Sequence, residues 1–316
     1  MYTDKKVLLI AGGGTLGTYV AKELLRLGAW VDVICPEPKV SDHPRLTFHQ
    51  SLATKELLSQ LFEKQHYHGI VNFIHYTEFE PYKAIHPFLI EHTDHLIFLS
   101  SYRVYANEQH PITENAPRLF DVLDDPYFHE KENYAKPKSQ CEDYLRTERA
   151  GDPFTIVRPV ISFSARRMDL YTFSGHRVIE AAAQGETLLL PQYAKDFGAG
   201  LDWAGNSGKL IAHLLFKPHA LGNTYTIYSG QGLTWGDVAA LYEKLIGLKV
   251  RWCEESEFLS AYPDLKNRFH YLFDRRFNRT IDCSKVLEAT GLSAQDFASV
   301  EDGIRHELAI LENSKN

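Results

Sequence analysis

The chain of 316 residues is 44% hydrophobic and 24% charged, the balance of a soluble globular protein with one large domain or a large domain and a smaller lobe. Its formal net charge of −7 argues against a main role in binding nucleic acid or an anionic membrane surface, since these partners demand dense Lys and Arg. No apolar run approaches the roughly 20 residues that span a bilayer, so we expect no membrane partner either.

In its first half the chain alternates short apolar runs with helical patterns. The apolar runs, which predict strands, are residues 7–10, 30–34, 46–48, 70–74, 96–99 and 154–157. The helical patterns between them cover residues 15–27, 54–64, 81–91 and 131–149. Strands and helices in this order predict βαβ units and therefore an α/β fold, a Rossmann-type doubly wound parallel sheet.

After Pro159 the alternation becomes less regular. A helix at 171–184 and a strand at 187–190 precede a helix at 206–216 and a strand at 224–227, and the latter two are suited to return to the main sheet. We therefore expect two parts joined by a cleft at the carboxyl ends of the strands.

The remaining residues predict further helices and complete the domain organisation. Thr234 is a suitable N-cap and Gly247 a suitable end for a helix at 235–245, and a last helix covers 299–311. The predicted parts are a Rossmann domain at 1–160 with return elements near 197–230, and a smaller C-terminal α/β substrate lobe at 161–196 and 231–316.

The cysteines indicate the compartment. Cys35, Cys141, Cys253 and Cys283 lie far apart without a Cys-x-x-Cys pair, and the first residues lead into a strand without the hydrophobic region of a signal peptide. This pattern predicts reduced thiols, no zinc site and a cytoplasmic protein.

A glycine-rich turn follows the first strand and opens the first helix. In the pattern Gly-x-Gly-x-x-Gly the glycines permit a tight turn and let the backbone approach a pyrophosphate, which the free N–H groups of the helix bind. The pattern predicts NAD or NADP held by Gly12, Gly14, Thr15, Leu16 and Gly17. The alternative is a glycine-rich turn without a ligand.

The end of the second strand leaves the choice between NAD and NADP open. An acidic residue there would bind the ribose hydroxyls of NAD, whereas an Arg would accept the 2′-phosphate of NADP. The strand ends at Cys35, which we expect beside the cofactor, and Glu37 follows two residues later. Glu37 is either a displaced equivalent of the acidic residue or a solvated loop charge.

Two serines end the fifth strand, and a Tyr–Lys pair follows about thirty residues later. Tyr134 and Lys138 are four residues apart near a helix start, so both side chains share one face. A nearby ammonium favours the phenolate, which makes such a Tyr a suitable acid/base for a substrate oxygen. A Ser hydroxyl at Ser101 would hold the same oxygen. The alternative is a surface Tyr and Lys that share this spacing without a function.

These residues resemble the extended short-chain dehydrogenase/reductase family of the NAD-dependent epimerase/dehydratase type, to which UDP-galactose 4-epimerase belongs. The segments that carry the resemblance are Ser100-Ser101-x-x-Val104-Tyr105, Pro111-x-Thr113-Glu114-x-x-Pro117, Tyr134-x-x-x-Lys138, Val157-Arg158-Pro159, Gly222–Gly230 and Asp282-Cys-Ser-Lys285. Ala11 stands where that family has its first glycine, whereas Gly14 and Gly17 match.

The resemblance implies the roles of the site residues. Ser101 is implied to be the catalytic serine, Tyr134 the acid/base, and Lys138 the residue that tunes Tyr134 and binds the nicotinamide ribose. Pro159 is implied to lie at the cofactor. His75 follows the fourth strand, where it would either contact the nicotinamide half or fill the strand end.

The leading hypothesis is an NAD(P)-dependent epimerase or reductase acting on a nucleotide sugar, with a homodimer as a possible assembly. A rival hypothesis comes from residues 72–77, Asn-Phe-Ile-His-Tyr-Thr, which resemble a divergent branch that includes chloroplast stem-loop RNA-binding proteins. On that hypothesis the protein is a non-catalytic dinucleotide-sensing or RNA-binding protein. The acidic net charge and the complete Ser–Tyr–Lys set favour the enzyme.

Two further residue pairs, one of histidines and one of arginines, could each be either a binding site or ordinary solvated side chains. His92 and His95 have the look of a metal pair, but we expect them to be solvated at a helix end. Arg166 and Arg167 are either a clamp for a substrate diphosphate or a solvated loop pair.

Overall fold

The computed structural model describes residues 2–165 and 167–313 and contains a seven-stranded sheet in which all neighbouring strands are parallel. In chain order its strands are β1 (Lys6–Ile10), β2 (Trp30–Cys35), β3 (Leu46–Gln50), β4 (Gly69–Asn72), β5 (Leu96–Leu99), β6 (Phe154–Pro159) and β10 (Thr224–Ile227). Their spatial order is β10-β6-β5-β4-β1-β2-β3. The strand order reverses between β1 and β4, where doubly wound sheets bind ligands. The predicted Rossmann-type sheet is confirmed.

In the described part of the chain, four further strands form two pairs outside the main sheet. Strand β7 (Ile161–Phe163) pairs with β9 (Leu201–Trp203), and β8 (Thr187–Pro191) pairs with β11 (Lys249–Cys253), both in parallel. Strands β7, β9 and β11 were not predicted, because three to five residues carry too little periodicity to be recognised.

Helices cover both faces of the main sheet and build the second part of the molecule. In the described residues the α-helices are α1 (Thr15–Arg26), α2 (Lys55–Lys64), α3 (Glu80–Ile90), α4 (Leu119–Val122), α5 (Pro126–Lys131), α6 (Ala135–Thr147), α7 (Gly175–Gln184), α8 (Ala204–Leu214), α9 (Trp235–Ile246), α10 (Glu255–Ala261), α11 (Ser284–Thr290) and α12 (Val300–Asn313). None of them is long and apolar enough to cross a membrane.

Each face of the sheet has its own hydrophobic core, as strands buried on both faces require. On one face, side chains of β1 and β2 pack against α1, α8 and α11. On the other face, β1, β4 and β5 pack against α2, α3 and α6. Although α11 belongs to the predicted lobe in sequence, it packs on the sheet. The domain boundaries themselves stay a prediction.

A third core holds the part that follows the sheet. It includes Tyr171, Trp235 and Tyr242, all almost completely buried. Thr234 caps α9 through a capping box, and Gly247 ends that helix at a φ of 68°, as the sequence predicts.

The helix predicted at about 131–149 is shorter in the structure. Helix α5 ends at Lys131, and α6 begins at Ala135, close to Tyr134 as the sequence predicts. The Glu132 carboxylate accepts hydrogen bonds of 2.9 Å from the backbone N–H groups of Tyr134 and Lys136. A side chain that binds nearby backbone N–H groups competes with a continuous helix. As a result, Tyr134 is the N-cap residue of α6, and Lys138 lies in the first turns of that helix.

Candidate functional site

The glycine turn between β1 and α1 is shaped by two different requirements. A Cβ on Gly17 would lie 2.3 Å from the carbonyl oxygen of Gly12, so these two glycines let the helix contact the turn. A Cβ on Gly14, the N-cap residue of α1, would meet no atom within 4 Å. Gly12 and Gly17 therefore serve packing, whereas Gly14 leaves space in front of the helix N-terminus for a ligand.

Ala11 occupies the left-handed region in this turn, with a φ of 56°. This backbone conformation costs an L-residue roughly 1–2 kcal/mol and is ordinarily taken by glycine. The turn therefore keeps the conformation of a glycine at this position although the residue is alanine.

Two opposite charges lie at the outer side of the same turn. A Cβ on Gly13 would be 2.9 Å from an Oε2 atom of Glu37, and the Lys39 ammonium donates a 2.6 Å hydrogen bond to the Gly13 carbonyl. Cys35 packs behind Gly13, where a Cβ would lie 2.6 Å from the Cys35 Cβ. Glu37 is exposed, yet its carboxylate lies at the turn where the adenosine ribose of a dinucleotide would be bound.

A cavity of about 490 Å³ opens at the carboxyl ends of the central strands. The predicted site residues that line it are Gly14, Thr15, Leu16, Gly17, Ser101, Tyr134 and Pro159. Ser101 is almost completely buried, and its Oγ accepts a 3.2 Å hydrogen bond from the backbone N–H of Arg103. The Thr15 hydroxyl lies 3.0 Å from that of Ser164. The glycine turn, Ser101 and Tyr134 thus share one cavity.

The other predicted site residues lie behind this wall. Gly12 and Cys35 support the glycine turn from behind. Lys138 is buried, and its ammonium donates hydrogen bonds to the carbonyl oxygens of Leu99 and, at 3.4 Å, Ile74. Burial lowers the pKa of Lys138 to about 8. The Lys138 charge is therefore held below the strand ends rather than at the surface of the cavity.

Tyr134 is flanked by two side chains. The His75 ring lies 4.7 Å from the Tyr134 ring, measured between centroids, and the guanidinium carbon of Arg103 lies 4.4 Å from the same centroid. Desolvation, followed by the Lys138 charge, lowers the pKa of His75. His75 thus contacts Tyr134 and is not among the residues that line the cavity.

The far wall of the cavity consists of charged side chains that the sequence analysis did not single out. Arg275 pairs with Asp274 and donates hydrogen bonds of 2.9 Å to the Tyr102 hydroxyl and 2.6 Å to the Tyr171 carbonyl. Tyr171 has a φ of 54°, a strained conformation that often marks functional sites. No sequence signal connects these residues, because only the tertiary structure brings the segment around residue 275 to β5.

Of the two arginines that follow β7, only Arg167 lies within the described residues. Arg167 lines the cavity, is half exposed and donates a 2.9 Å hydrogen bond to Asp169. Arg166 lies outside the described residues. The role of a diphosphate clamp stays a prediction for Arg167.

His92 and His95 do not face a common point. His92 stacks on Phe62 with a centroid distance of 4.4 Å, and His95 is buried with its Nε2 atom 2.8 Å from the Thr155 hydroxyl. Burial lowers the pKa of His95 to about 4. The expectation that both imidazoles are solvated is wrong for His95, because it bridges β6 and the backbone N–H of Phe216.

Solved structures of nucleotide-sugar epimerases share this fold. UDP-glucose 4-epimerase from Stenotrophomonas maltophila, solved with NAD and formylated UDP-arabinopyranose, is 15% identical, with 95% of this chain and 96% of that chain covered and a TM-score of 0.69. UDP-glucose 4-epimerase from Thermotoga maritima, solved with UDP-glucose, is 15% identical, with 98% and 100% covered and a TM-score of 0.69. An epimerase from Methanothermobacter thermautotrophicus is 14% identical, with 99% and 94% covered and a TM-score of 0.70.

No protein-family model matches the sequence, and no curated protein matches it. At identities of 14–15% the structural likeness establishes the fold. The Rossmann-type fold that the motifs predict is confirmed, and these epimerase structures share it.

Proposed function

We propose that this protein is an NAD-dependent enzyme that epimerises or oxidises the sugar of a nucleotide sugar. The observation that carries the proposal is the cavity in which the glycine turn, Ser101 and Tyr134 face one another. Proteins that share the fold have been solved with NAD and with UDP-sugars, which supports both ligand classes for this cavity.

The residues present fit a dinucleotide. The open space at Gly14 admits a pyrophosphate to the N-terminus of α1, where free N–H groups and the helix dipole favour negative charge. NAD supplies hydride transfer to and from the sugar carbon. Gly12, Gly17 and Cys35 support the turn, and Thr15, Leu16 and Pro159 provide the walls of the pocket.

The catalytic roles follow from the positions around the cavity. Ser101 orients the reacting sugar oxygen, and Tyr134 exchanges the proton of that oxygen. In this proposal Lys138 supports the catalytic role of Tyr134 from below the strand ends, and His75 fixes the orientation of the Tyr134 ring. We propose that Lys138 also contacts the nicotinamide ribose after a change of its side-chain rotamer.

The location and assembly complete the proposal. The four cysteines are free thiols, as a reducing cytoplasm would maintain them, so we place the enzyme in the cytoplasm. A homodimer stays a prediction from the sequence.

The proposed function is tested by ligand binding. Thermal unfolding should shift upward with NAD and further with one or more members of a panel of UDP-, GDP- and dTDP-sugars, because ligands stabilise the state to which they bind. Product analysis of the stabilising sugar then distinguishes epimerisation from oxidation. A protein that responds to no dinucleotide and no nucleotide sugar would contradict the proposal.

Replacing Gly14 with Val should abolish measurable NAD binding while the protein remains folded. The φ of −80° and ψ of −171° at Gly14 suit valine, and no atom lies within 4 Å of the new Cβ. The methyl groups would instead occupy the space through which the pyrophosphate approaches. Isothermal titration with NAD measures the effect. Gly151→Val, at an exposed glycine with equally open surroundings, is the control and should bind NAD normally.

Glu37 and Lys39 should shift the preference between NAD and NADP in opposite directions. Glu37→Gln should raise the affinity for NADP relative to NAD by about fivefold, the size of a roughly 1 kcal/mol interaction between partly exposed charges. Lys39→Gln should lower the same ratio, because its ammonium would attract the 2′-phosphate. The ratio of the two dissociation constants is the readout, and Lys64→Gln on the exposed side of α2 is the control. If both variants shifted the ratio of dissociation constants in the same direction, the adenosine ribose would not lie between Glu37 and Lys39.

A further inference from the structure

Among the described residues, Arg103 is the arginine of the cavity whose side chain donates no hydrogen bond. The other two described arginines that line the cavity are engaged, Arg167 with Asp169 and Arg275 with Asp274. In the described residues, the buried Nε atom of Arg103 has no hydrogen-bond partner. The nearest carboxylate oxygens, on Glu132 and Asp274, are 3.7 and 4.0 Å from its nitrogen atoms, beyond hydrogen-bond distance. Its guanidinium is therefore held beside the cavity but can still donate hydrogen bonds to a ligand.

The surroundings leave an excess of positive charge at this point, since three arginines face two carboxylates, Glu132 and Asp274. Asp274 is shared by Arg103, Arg275 and Arg279. Burial opposes ionisation of Asp274, but these arginines outweigh it and lower the pKa of the carboxyl. Desolvation, then Arg275 and Arg103, lower the pKa of His270 in the same wall to about 4, so this imidazole is neutral near pH 7. An anionic group would therefore be stabilised here.

The position of Arg103 shows which part of a substrate it can reach. Its guanidinium carbon is 4.4 Å from the centroid of the Tyr134 ring, so it lies at the reacting end of the cavity. In a nucleotide hexose the diphosphate is attached to C1, across the sugar ring from C4, whereas a carboxylate at C6 is attached to the carbon next to C4. A planar guanidinium binds a carboxylate through two parallel hydrogen bonds.

We propose that Arg103 binds a carboxylate on the reacting sugar, so that the substrate is a nucleotide-linked uronic acid rather than a neutral hexose. This inference rests on the proposed nucleotide-sugar function and specifies its substrate class. Arg103 then determines substrate specificity, while Ser101 and Tyr134 act on the neighbouring hydroxyl.

The experiment compares two ligands that share a nucleotide. Dissociation constants of UDP-glucuronic acid and UDP-glucose are measured by calorimetry on the NAD-saturated protein. The wild type should bind UDP-glucuronic acid about 10- to 100-fold more tightly, the usual effect of hydrogen bonds to a charged group. In Arg103→Gln that ratio should fall to near one, and Arg103→Lys, which keeps the charge but not the fork, should give an intermediate ratio.

The outcomes separate this inference from the proposed function. Binding of both sugars with equal affinity by the wild type would overturn the uronic acid inference and leave the nucleotide-sugar proposal intact. An equal loss for both ligands in Arg103→Gln would also overturn it, since that result assigns Arg103 to the diphosphate or to the fold. Absence of binding by either sugar to the NAD-bound wild type would overturn both. Thermal unfolding of each variant verifies that it is folded.

Discussion

Tyr134→Phe should reduce kcat by about 10²- to 10⁴-fold, the usual contribution of general acid–base catalysis, while NAD binding and folding stay close to those of the wild type. Tyr134 lines the cavity at the N-terminus of α6 and faces the glycine turn and Ser101. Loss of its hydroxyl removes the proton donor and acceptor but keeps the ring that contacts His75 and Arg103. The measurement is kcat on the sugar that the ligand panel identifies.

Two variants make this result specific. Lys138→Ala should lower kcat and also weaken NAD binding, since the ammonium is proposed to contact the ribose and to support Tyr134. Tyr242→Phe is the matched control, because the buried Tyr242 hydroxyl has no hydrogen-bond partner among the described residues and lies in the third core. It should be neutral or slightly stabilising. Equal kcat values for wild type and Tyr134→Phe would favour the non-catalytic dinucleotide-sensing protein.

The fold could be predicted because its sequence signals are local. Most strands of the main sheet contain a short apolar run, and each glycine or cap that ends an element lies next to that element. The glycine turn could be recognised although Ala11 replaces a glycine. Gly14, which leaves space for a ligand, and Gly17, which lets the helix contact the turn, are both present. Local signals of this kind do not depend on distant parts of the chain.

Several motifs that indicated the family turn out to be parts of one buried network. Arg158 stacks on Tyr105 at 4.6 Å and donates a 3.0 Å hydrogen bond to the Glu114 carbonyl. The Tyr105 hydroxyl lies 2.6 Å from that of Thr226, whose backbone N–H donates to the Glu114 carboxylate. Segments far apart in sequence are thus joined by polar contacts that only certain residue types can form, which explains why the motifs predict the fold.

The far wall of the candidate site could not be predicted for the opposite reason. Arg275 reaches Tyr102 across 173 positions of the chain, and neither residue belongs to a periodic or spaced pattern. The sequence also does not show that Arg103 can bind a ligand. This property exists only in the folded protein, because the Asp274 carboxylate lies near three arginines and forms its shorter contacts with Arg275 and Arg279. The sequence predicts the side of the cavity that holds Ser101 and Tyr134, but it carries no signal for the side that holds Asp274 and Arg275.

Glu142→Gln should lower the free energy of unfolding by about 3–5 kcal/mol, the cost of breaking a buried ion pair by removing one partner. Glu142 is completely buried, and its two carboxylate oxygens accept hydrogen bonds of 2.8 and 2.5 Å from Arg158. Arg118 and Arg146 also lie within 3.4 Å of the same carboxylate. The variant would leave several buried or half-buried guanidiniums without this negative charge.

Urea unfolding at several pH values provides the test, with Glu257→Gln as the control, since the solvent-exposed Arg251–Glu257 pair should contribute little to stability. Burial opposes ionisation of Glu142, but Arg158 outweighs it and lowers the pKa of the carboxyl from 4.5 to about 2. A carboxyl whose pKa is lower in the folded state stabilises the protein above the unfolded pKa and loses this contribution as pH falls. The wild type should therefore lose stability between about pH 4.5 and pH 2, and Glu142→Gln should lose less over the same range. A variant that is as stable as the control and has an unchanged pH slope would show that Glu142 is not the centre of this network.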